Sequence, residues 1–439
     1  MNKKSVIILA AGQGTRMKST LPKVLHKISG KPMLYYSIKE ALKISDDITV
    51  VLYHQFEKVK AEIEKYFSNI NFVIQDHENF PGTGGAVMNI VPKHSKVLVL
   101  NGDMPLIQAV ELEKFDIDAC IVMSVLKLES ADGYGRVIIE NEKVKKIVEQ
   151  KDANASELEI TTANAGIYQF DTKFLLENLP KLNNNNAQKE YYITDLVEMA
   201  INSGEVLKPI YVSEENFKGV NSKVELCEAE VIHQNRIKKE FLKAGVIMRL
   251  PDTIYIEEGV EIEGESIIEN GVSLLGNTKI INSHIKTNCV VENSIVENSD
   301  VGPMARIRPD SKIIDTHIGN FVETKKAILT GVKAGHLSYL GDCVIDEGTN
   351  IGCGTITCNY DGVNKYQTII GKNVFVGSDT QFVAPVTIED DVIIGAGSCV
   401  TNSVKKGQLF VNRAEKRVID GYFYKHFENA QNLKKAKQK

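Results

Sequence analysis

The chain has 439 residues, 43% of them hydrophobic and 25% charged, with a formal net charge of −5. Such a composition excludes a disordered or fibrous protein and points to about two or three domains, while mild acidity gives no electrostatic warrant for nucleic acid or a membrane surface as the main partner. The longest apolar stretch, Val6–Ala11, is far shorter than the ~20 residues of a membrane span, and seven cysteines without a Cys-x-x-Cys pair suit a reduced cytoplasmic protein.

That stretch follows Lys3 and Lys4 as a signal peptide would, but Gly12-Gln13-Gly14-Thr15-Arg16 breaks it at once and no cleavage pattern follows. Ser5–Ala10 reads instead as a strand buried on both faces. Ile48–Tyr53, Val97–Leu100 and Cys120–Val125 repeat the pattern with helical segments between them. The alternation predicts an α/β, Rossmann-like domain over residues 1–221 with a mostly parallel sheet, whose ligands bind where strand carboxyl ends open into loops. Ala11–Thr15 and Asn101-Gly102-Asp103 follow the first and third strands, so both belong on one rim.

Ser222 with Glu225 three residues later is a capping box, and Gly245 stands where a helix would stop. Residues 222–245 therefore read as a linker helix, with an ordinary core helix as the alternative. After Leu250 the period becomes six: Ile256, Ile262, Ile268, Leu274 and Ile280; then Ile295, Val301, Ile307 and Ile313; then Ile370, Val376, Phe382, Ile388, Ile394 and Val400. A hexapeptide repeat marks a parallel β-helix, here left-handed and spanning residues 246–413. The repeat stumbles at Cys358–Lys365, which reads as an extruded loop with a binding role. Residues 414–439 form a helical tail with a basic, solvated end.

Leu9-Ala10-Ala11-Gly12-Gln13-Gly14-Thr15-Arg16-Met17, followed by Leu21-Pro22-Lys23, is neither a Walker loop nor a dinucleotide fingerprint. Its glycines let backbone amides form an anion-binding concavity, and Arg16 and Lys23 add cations suited to a triphosphate. The motif resembles the sugar-nucleotidyltransferase (nucleotide-sugar pyrophosphorylase) family. With the hexapeptide half attached, residues 3–415 resemble the bifunctional family that joins an N-acetylglucosamine-1-phosphate uridylyltransferase to a glucosamine-1-phosphate N-acetyltransferase.

In the first half the resemblance implies that Leu9, Ala10, Ala11, Gly12, Gly14, Lys23, Gln75, Gly82 and Thr83 bind UTP. Gly133–Arg136 with Gly135 at its centre, Glu149 with Lys151-Asp152, and Asn164-Ala165-Gly166 would hold the sugar, and Tyr192–Asp195 follows in the expected place. Asn221 would serve both the sugar and the metal. Asp103 and Asn221 offer one charged and one neutral oxygen, a set that suits Mg²⁺ because that ion keeps most of its shell as water and phosphate. The sugar phosphate would attack the α-phosphorus of UTP while Lys23, Arg16 and the metal spread the growing charge.

In the second half the resemblance rests on Ala305–Pro309, Asn320–Lys326, Lys333–Tyr339 and Asn350–Gly362. Arg308 and Lys325 would hold the sugar phosphate, with Tyr339, Asn350 and Lys365 completing the pocket. Asn359, Tyr360, Cys353, Ser378, Ala396 and Arg413 would line the acetyl-CoA arm. His336 is the candidate general base for the amine, with Glu323 a candidate to orient it. Cys353 and Cys358 lack a second ligand pair and read as packing or groove-lining thiols, and His284 and His317, without carboxylate neighbours in a ligand pattern, as surface residues.

The chemistry orders the steps: acetylation of glucosamine-1-phosphate, then transfer to UTP, giving UDP-N-acetylglucosamine and pyrophosphate. The resemblance further implies a homotrimer with acetyl sites between neighbouring solenoids, and small-molecule partners only. Two other readings stand beside it. One is a pyrophosphorylase of other specificity with a regulatory, non-catalytic solenoid, which a coenzyme A release assay would separate; the other is an assembly scaffold, which tight Mg²⁺-dependent UTP binding would exclude.

Overall fold

A computed structural model describes residues 3–131, 134–148, 150, 153–186, 188–412 and 415–437. The chain divides into two compact units, Met1–Lys243 with Tyr255–Glu258, and Ala244–Ile254 with Gly259–Lys439.

The first unit is built on a sheet whose strands lie in the order Leu207–Tyr211, Ile121–Lys127, Thr162–Asp171, Lys96–Asn101, Ser5–Leu9, Asp47–Leu52 and Asn71–Ile74. Val6 and Ile8 join one apolar core while Ile7 joins the core on the opposite face, so the sheet is covered on both sides as the unbroken apolar runs require. Thr162–Asp171 departs from the parallel expectation: it runs antiparallel to both Lys96–Asn101 and Ile121–Lys127. The reason is the hairpin before it. Arg136–Glu140 and Lys143–Val148 form antiparallel partners without a crossover helix, so the chain enters the sheet from the other end.

The helix Lys223–Lys243 begins at Ser222, whose Oγ accepts from the Glu225 N–H at 3.2 Å, while the Glu225 carboxylate accepts from the Asn221 N–H at 2.8 Å. Gly245 ends it with φ 98°. Its Ala229 is buried with Ile28, Met33, Tyr36 and Leu106, so one face packs on the first unit as a core helix does.

The second unit is a parallel β-helix of the left-handed hexapeptide class, with short strands stacked in long ladders. Its inward side chains are Ile262, Ile268, Leu274, Ile280, Ile285, Val291, Val296, Val301, Ile307, Ile313 and Ile318, all buried. The six-residue expectation needs one correction: Val296, fully buried, occupies the inward position, and Ile295 stands half-exposed beside it. Both sides that meet at Val296, from Val291 and on to Val301, are five residues long, which a fixed period of six cannot follow. Buried hydroxyls explain how the corners stay satisfied. The N–H of Ser283, Ser299 and Thr316 each donates to the Oγ of the residue one coil earlier (Ser266, Ser283, Ser299) at 3.2, 3.1 and 3.0 Å. From Ile370 to Val400 the six-step holds, with every expected residue buried. The extruded segment closes as a small hairpin through an antiparallel bridge between Tyr360 and Lys365. Beyond it, Tyr422–Lys437 is an exposed helix.

Candidate active sites

Ser5–Leu9 and Lys96–Asn101 are in parallel register with Leu9 opposite Asn101, so their carboxyl ends open on the same rim. The Gly102 N–H donates to the Leu9 carbonyl at 2.8 Å, which ties the two loops together. They border a cavity of about 510 Å³ lined by Leu9, Ala10, Ala11, Gly12, Lys23, Gln75, Gly82, Thr83 and Asp103, with Gln13, His77, Asn101 and Glu190 also on its wall. Nearly all the nucleotide residues expected from the sequence thus meet in one place. His77 and Glu190 were missed, because neither belongs to a motif.

Two expected residues lie elsewhere. Arg16 is exposed on the short turn Thr15–Met17 and does not line the cavity. Gly14 serves Lys23 rather than the cavity: its φ is +64°, and a Cβ there would lie 2.6 Å from Lys23 Cβ. At Gly12, by contrast, an added Cβ meets nothing within 4 Å.

Gln75 is 6% exposed and its Nε2 donates to the carbonyls of Phe80 and Gly82 at 2.9 and 3.0 Å. Its amide oxygen accepts no hydrogen bond among the described residues and remains available for a base N–H. The Thr83 hydroxyl accepts from the Ile193 N–H at 3.1 Å, and the Gly84 N–H donates to the Tyr191 carbonyl at 2.8 Å, so the Tyr191–Ile193 stretch holds this loop in place.

The Lys23 ammonium pairs with the Asp103 carboxylate and donates to Asn221 Oδ1 at 2.9 Å. Asp103 also accepts, through its backbone carbonyl, from the Val220 N–H at 2.9 Å. Residues far apart in sequence therefore aim two oxygens at one cation. A carboxylate and an amide oxygen that already share an ammonium fit a divalent ion that takes few protein ligands. Among the described residues no group of three or more His, Cys, Asp or Glu could hold a metal, so an ion here would rest on these two oxygens.

The loops expected to hold the sugar are tied together as well. The Asn164 N–H donates to the Gly135 carbonyl at 3.0 Å, the Gly166 N–H to Asn164 Oδ1 at 3.0 Å, and Asn101 Nδ2 to the Gly166 carbonyl at 3.2 Å. Buried Arg136 donates to the Tyr134 carbonyl and to Gln150 Oε1 at 2.8 and 3.0 Å. Burial raises the Asp195 carboxyl above its ordinary range. Gly133, Glu149, Lys151 and Asp152 lie outside the described residues.

In the second unit Arg306, Glu323 and Tyr339 lie in register on adjacent coils, as do Lys325 and Gly341. Arg308 Nη1 donates to Glu323 Oε1 at 2.7 Å. The Lys365 ammonium, carried in by the hairpin, crowds that of Lys325, and together with Arg308 it depresses the Lys325 pKa. The Tyr339 ring covers Gly341, where a Cβ would lie 2.5 Å from the phenolic oxygen. Arg308, Lys325, Tyr339 and Lys365 thus form one cationic corner.

A second corner carries His336, Cys353, Ser378 and Ala396 on successive coils. The Gly354 N–H donates to the His336 carbonyl at 3.4 Å, the Asp379 N–H to Cys353 at 2.7 Å and the Gly397 N–H to Ser378 at 2.8 Å. The exposed imidazole of His336 makes no hydrogen bond among the described residues. Glu323, the candidate to orient it, makes no hydrogen bond to it among the described residues and pairs with Arg308. Asn350 stands opposite Lys333 and Phe375, at the far end of the side from the Cys353 turn. Three residues at ~3.3 Å each put about 10 Å between Asn350 and that turn. Within its own chain Asn350 thus stands one side's length from that turn. Asn359 donates through Nδ2 to Asp342, and the exposed Tyr360 donates to the Gly362 carbonyl at 2.5 Å. Arg413 lies outside the described residues.

His284 and His317 do have carboxylate neighbours. His284 Nε2 lies 2.9 Å from Glu269, and His317 Nδ1 lies 2.8 Å from Asp300. Each partner comes from the preceding coil, a separation of 15 to 17 residues that local spacing does not reveal.

The nucleotidyl transferase family matches residues 5–215, and the bacterial transferase hexapeptide family (six repeats) matches residues 367–402. A protein named bifunctional protein GlmU from Aliarcobacter butzleri is 85% identical over 429 residues, covering 98% of this chain and 99% of its own. The chain belongs to the GlmU family. GlmU proteins of Nitratiruptor and Sulfurovum species are 61% and 59% identical, each alignment covering 96% of this chain and 99% of the relative. Membership makes the chain a bifunctional transferase with acetyltransferase and uridylyltransferase activities, and identity at this level through both halves does not favour a regulatory solenoid or a scaffold. Nucleotidyl transfer in the GlmU family implies a divalent metal. No helix among the described residues is long and apolar enough to cross a membrane.

Proposed function

We propose that the rim cavity is the uridylyl-transfer site and that the two solenoid corners form the acetyl-transfer site. In the cavity, Gln75 Oε1 meets the uracil and the Gly12 backbone meets the phosphates. Gly135, Asn164 and Asn221 hold the sugar, with Glu149 completing that set. Asp103 and Asn221 hold Mg²⁺, which when bound neutralises phosphate charge. Lys23 stands beside both oxygens and places its ammonium on the phosphates, so the nucleophilic phosphate and its target are aligned without a covalent enzyme intermediate. Arg16 acts from the approach to the cavity.

At the acetyl site Arg308, Lys325 and Lys365 bind the phosphate dianion, and Tyr339 closes over it. His336 removes the proton that the amine must lose as its nitrogen attacks the thioester. Cys353, Ser378, Ala396 and Arg413 run beneath the acetyl-CoA arm with Tyr360 from the hairpin, and Asn359 stands at the acetyl end of that arm, where the thioester meets the amine. Asn350 reaches the phosphate corner from a neighbouring copy in a homotrimer. The enzyme works in the cytoplasm, where both donors are made. Residues 1–221, 222–245, 246–413 and 414–439 serve as transferase domain, linker helix, acetyltransferase solenoid and tail.

The observation that carries this reading is the convergence of Asp103 and Asn221 on the ammonium of Lys23, which lines the rim cavity with Asp103. Mass spectrometry of products from UTP, acetyl-CoA, Mg²⁺ and glucosamine-1-phosphate tests it. UDP-N-acetylglucosamine should form with wild type and stop at N-acetylglucosamine-1-phosphate with Asp103→Ala. Mixing Asn350→Ala with Arg308→Ala protein under subunit exchange should restore part of the acetyl transfer that each lacks alone, and no recovery would sink the shared site.

A further inference from the structure

We infer that Asp342 is a positioning residue for acetyl transfer, turning the Asn359 amide so that its oxygen faces the amino group of the hexosamine phosphate. The inference rests on the acetyl-site reading above.

Asp342 lies on the strand Tyr339–Ile345, directly after Gly341, which pairs with Lys325. One coil later Asn359 opens the hairpin that delivers Lys365, and its Nδ2 donates to the Asp342 carboxylate. An ionised carboxylate only accepts hydrogen bonds, so it dictates which end of the amide turns toward it. The NH₂ group is committed, and Oδ1 is left without a protein donor among the described residues. Asn359 is 9% exposed, so its amide has little freedom to turn elsewhere.

The charges at this corner say what an oriented acceptor is for. Arg308, Lys325 and Lys365 suit the phosphate but repel the ammonium form of the same substrate. Glu323 is neutralised by Arg308, whereas Asp342 makes no ion pair among the described residues and acts on Lys325 only through space. An amide oxygen backed by that carboxylate offsets the repulsion. It also meets the positive charge that grows on nitrogen as the amine attacks the thioester.

A corner by itself does not need a carboxylate. Asp342 has φ +47°, and Asn282, Asn288, Asn293 and Asn298 hold the same left-handed conformation at other corners. Asp342→Asn therefore keeps the backbone while removing the bias on the Asn359 amide, since an amide in its place can donate to Oδ1 as readily as it accepts from Nδ2.

The test is a swap. Asp342→Asn alone should lower kcat/KM for glucosamine-1-phosphate by about tenfold to a hundredfold, the scale of one hydrogen bond to a charged group. KM for acetyl-CoA and the rate of uridylyl transfer should stay near wild type. The double variant Asp342→Asn with Asn359→Asp again pairs an NH₂ with a carboxylate and again presents an oxygen to the substrate, so it should recover most of the lost activity. A double variant no better than the single one overturns the inference, as does a change confined to KM for acetyl-CoA, which would place the amide against the pantetheine chain. His336→Ala and Arg308→Ala run in parallel separate the two ideas: if those retain acetyl transfer, the site reading itself has failed.

Discussion

On the proposed reading Lys23 occupies the place where the metal binds, and its removal has two opposite consequences. Its side chain is 12% exposed and that of Asp103 19%, so the pair is shielded without being fully dry. Two unit charges about 4 Å apart near a protein surface attract by about 4 kcal/mol at an effective dielectric of ~20. Desolvation and side-chain ordering leave about 1–1.5 kcal/mol of that as net stabilisation. A divalent ion arriving at Asp103 and Asn221 must displace this ammonium, so Lys23→Ala should tighten Mn²⁺ or Mg²⁺ binding to the nucleotide-free protein by about tenfold. The same substitution removes the cation that meets the phosphates, and uridylyl transfer should fall by about 10²–10³ in kcat, with acetyl transfer unchanged. Isothermal titration with each metal and separate assays of the two reactions read both effects. Weaker metal binding in Lys23→Ala would refute the reasoning, since it would mean that the lysine organises the oxygens rather than competing for them.

Gly14→Ala should cost about 1–2 kcal/mol for its left-handed backbone and push Lys23 off its partners; thermal denaturation and a uridylyl-transfer assay should both report it, and a full rate would remove Gly14 from the argument. The Lys325 ammonium is destabilised by Lys365 and Arg308, so it loses its proton below the usual lysine range and phosphate affinity should fall as pH rises through that lowered value. Lys365→Ala relieves the crowding, and the alkaline limb of kcat/KM for glucosamine-1-phosphate should move to higher pH. In the solenoid, Val296→Ala should lower stability by about 2 kcal/mol, and Ile295→Ala by clearly less, because only Val296 is fully buried; equal shifts in denaturant midpoint would contradict the five-residue side.

Much of the fold is legible because burial imposes periods that sequence displays. Val6, Ile7 and Ile8 are all buried, two on one face of the sheet and one on the other, and an uninterrupted apolar run is how a doubly covered strand must be written. Phe382 and Val400 keep the six-step because every coil between Ile370 and Val400 has sides of equal length. Ile295 misled because periodicity assumes that length. The antiparallel strand Thr162–Asp171 was hidden for a different reason: a buried strand reads alike in both directions. Residues beside a motif that gather at the candidate cavity, such as Lys23 and Gln75, were legible. Asp342, His77 and Glu190 were not, since their neighbours are supplied by the fold. The corner hydroxyls Ser266, Ser283 and Ser299 show the same limit, as they bond at intervals of 16 to 17 residues.

On the proposed reading both sites receive anions, and they manage their positive charge differently. Lys23 is held by Asp103, and Arg308 by Glu323, so each cation has a carboxylate partner before any substrate arrives. An unpaired cation cluster would destabilise the folded chain, and a fully paired one would hold phosphate weakly. At the rim cavity the compromise is complete pairing, which suits a site where a metal is to take over the carboxylate. At the solenoid corner the pairing is partial: Lys325 and Lys365 face each other without an ion-pair partner among the described residues, and the repulsion is tolerated because both side chains reach solvent. Binding a phosphate dianion removes that repulsion and adds two attractions at once. The substrate is therefore the missing counter-ion of this corner, and affinity there should depend more steeply on salt than at the rim cavity, where displacement of one charge pair by another nearly cancels.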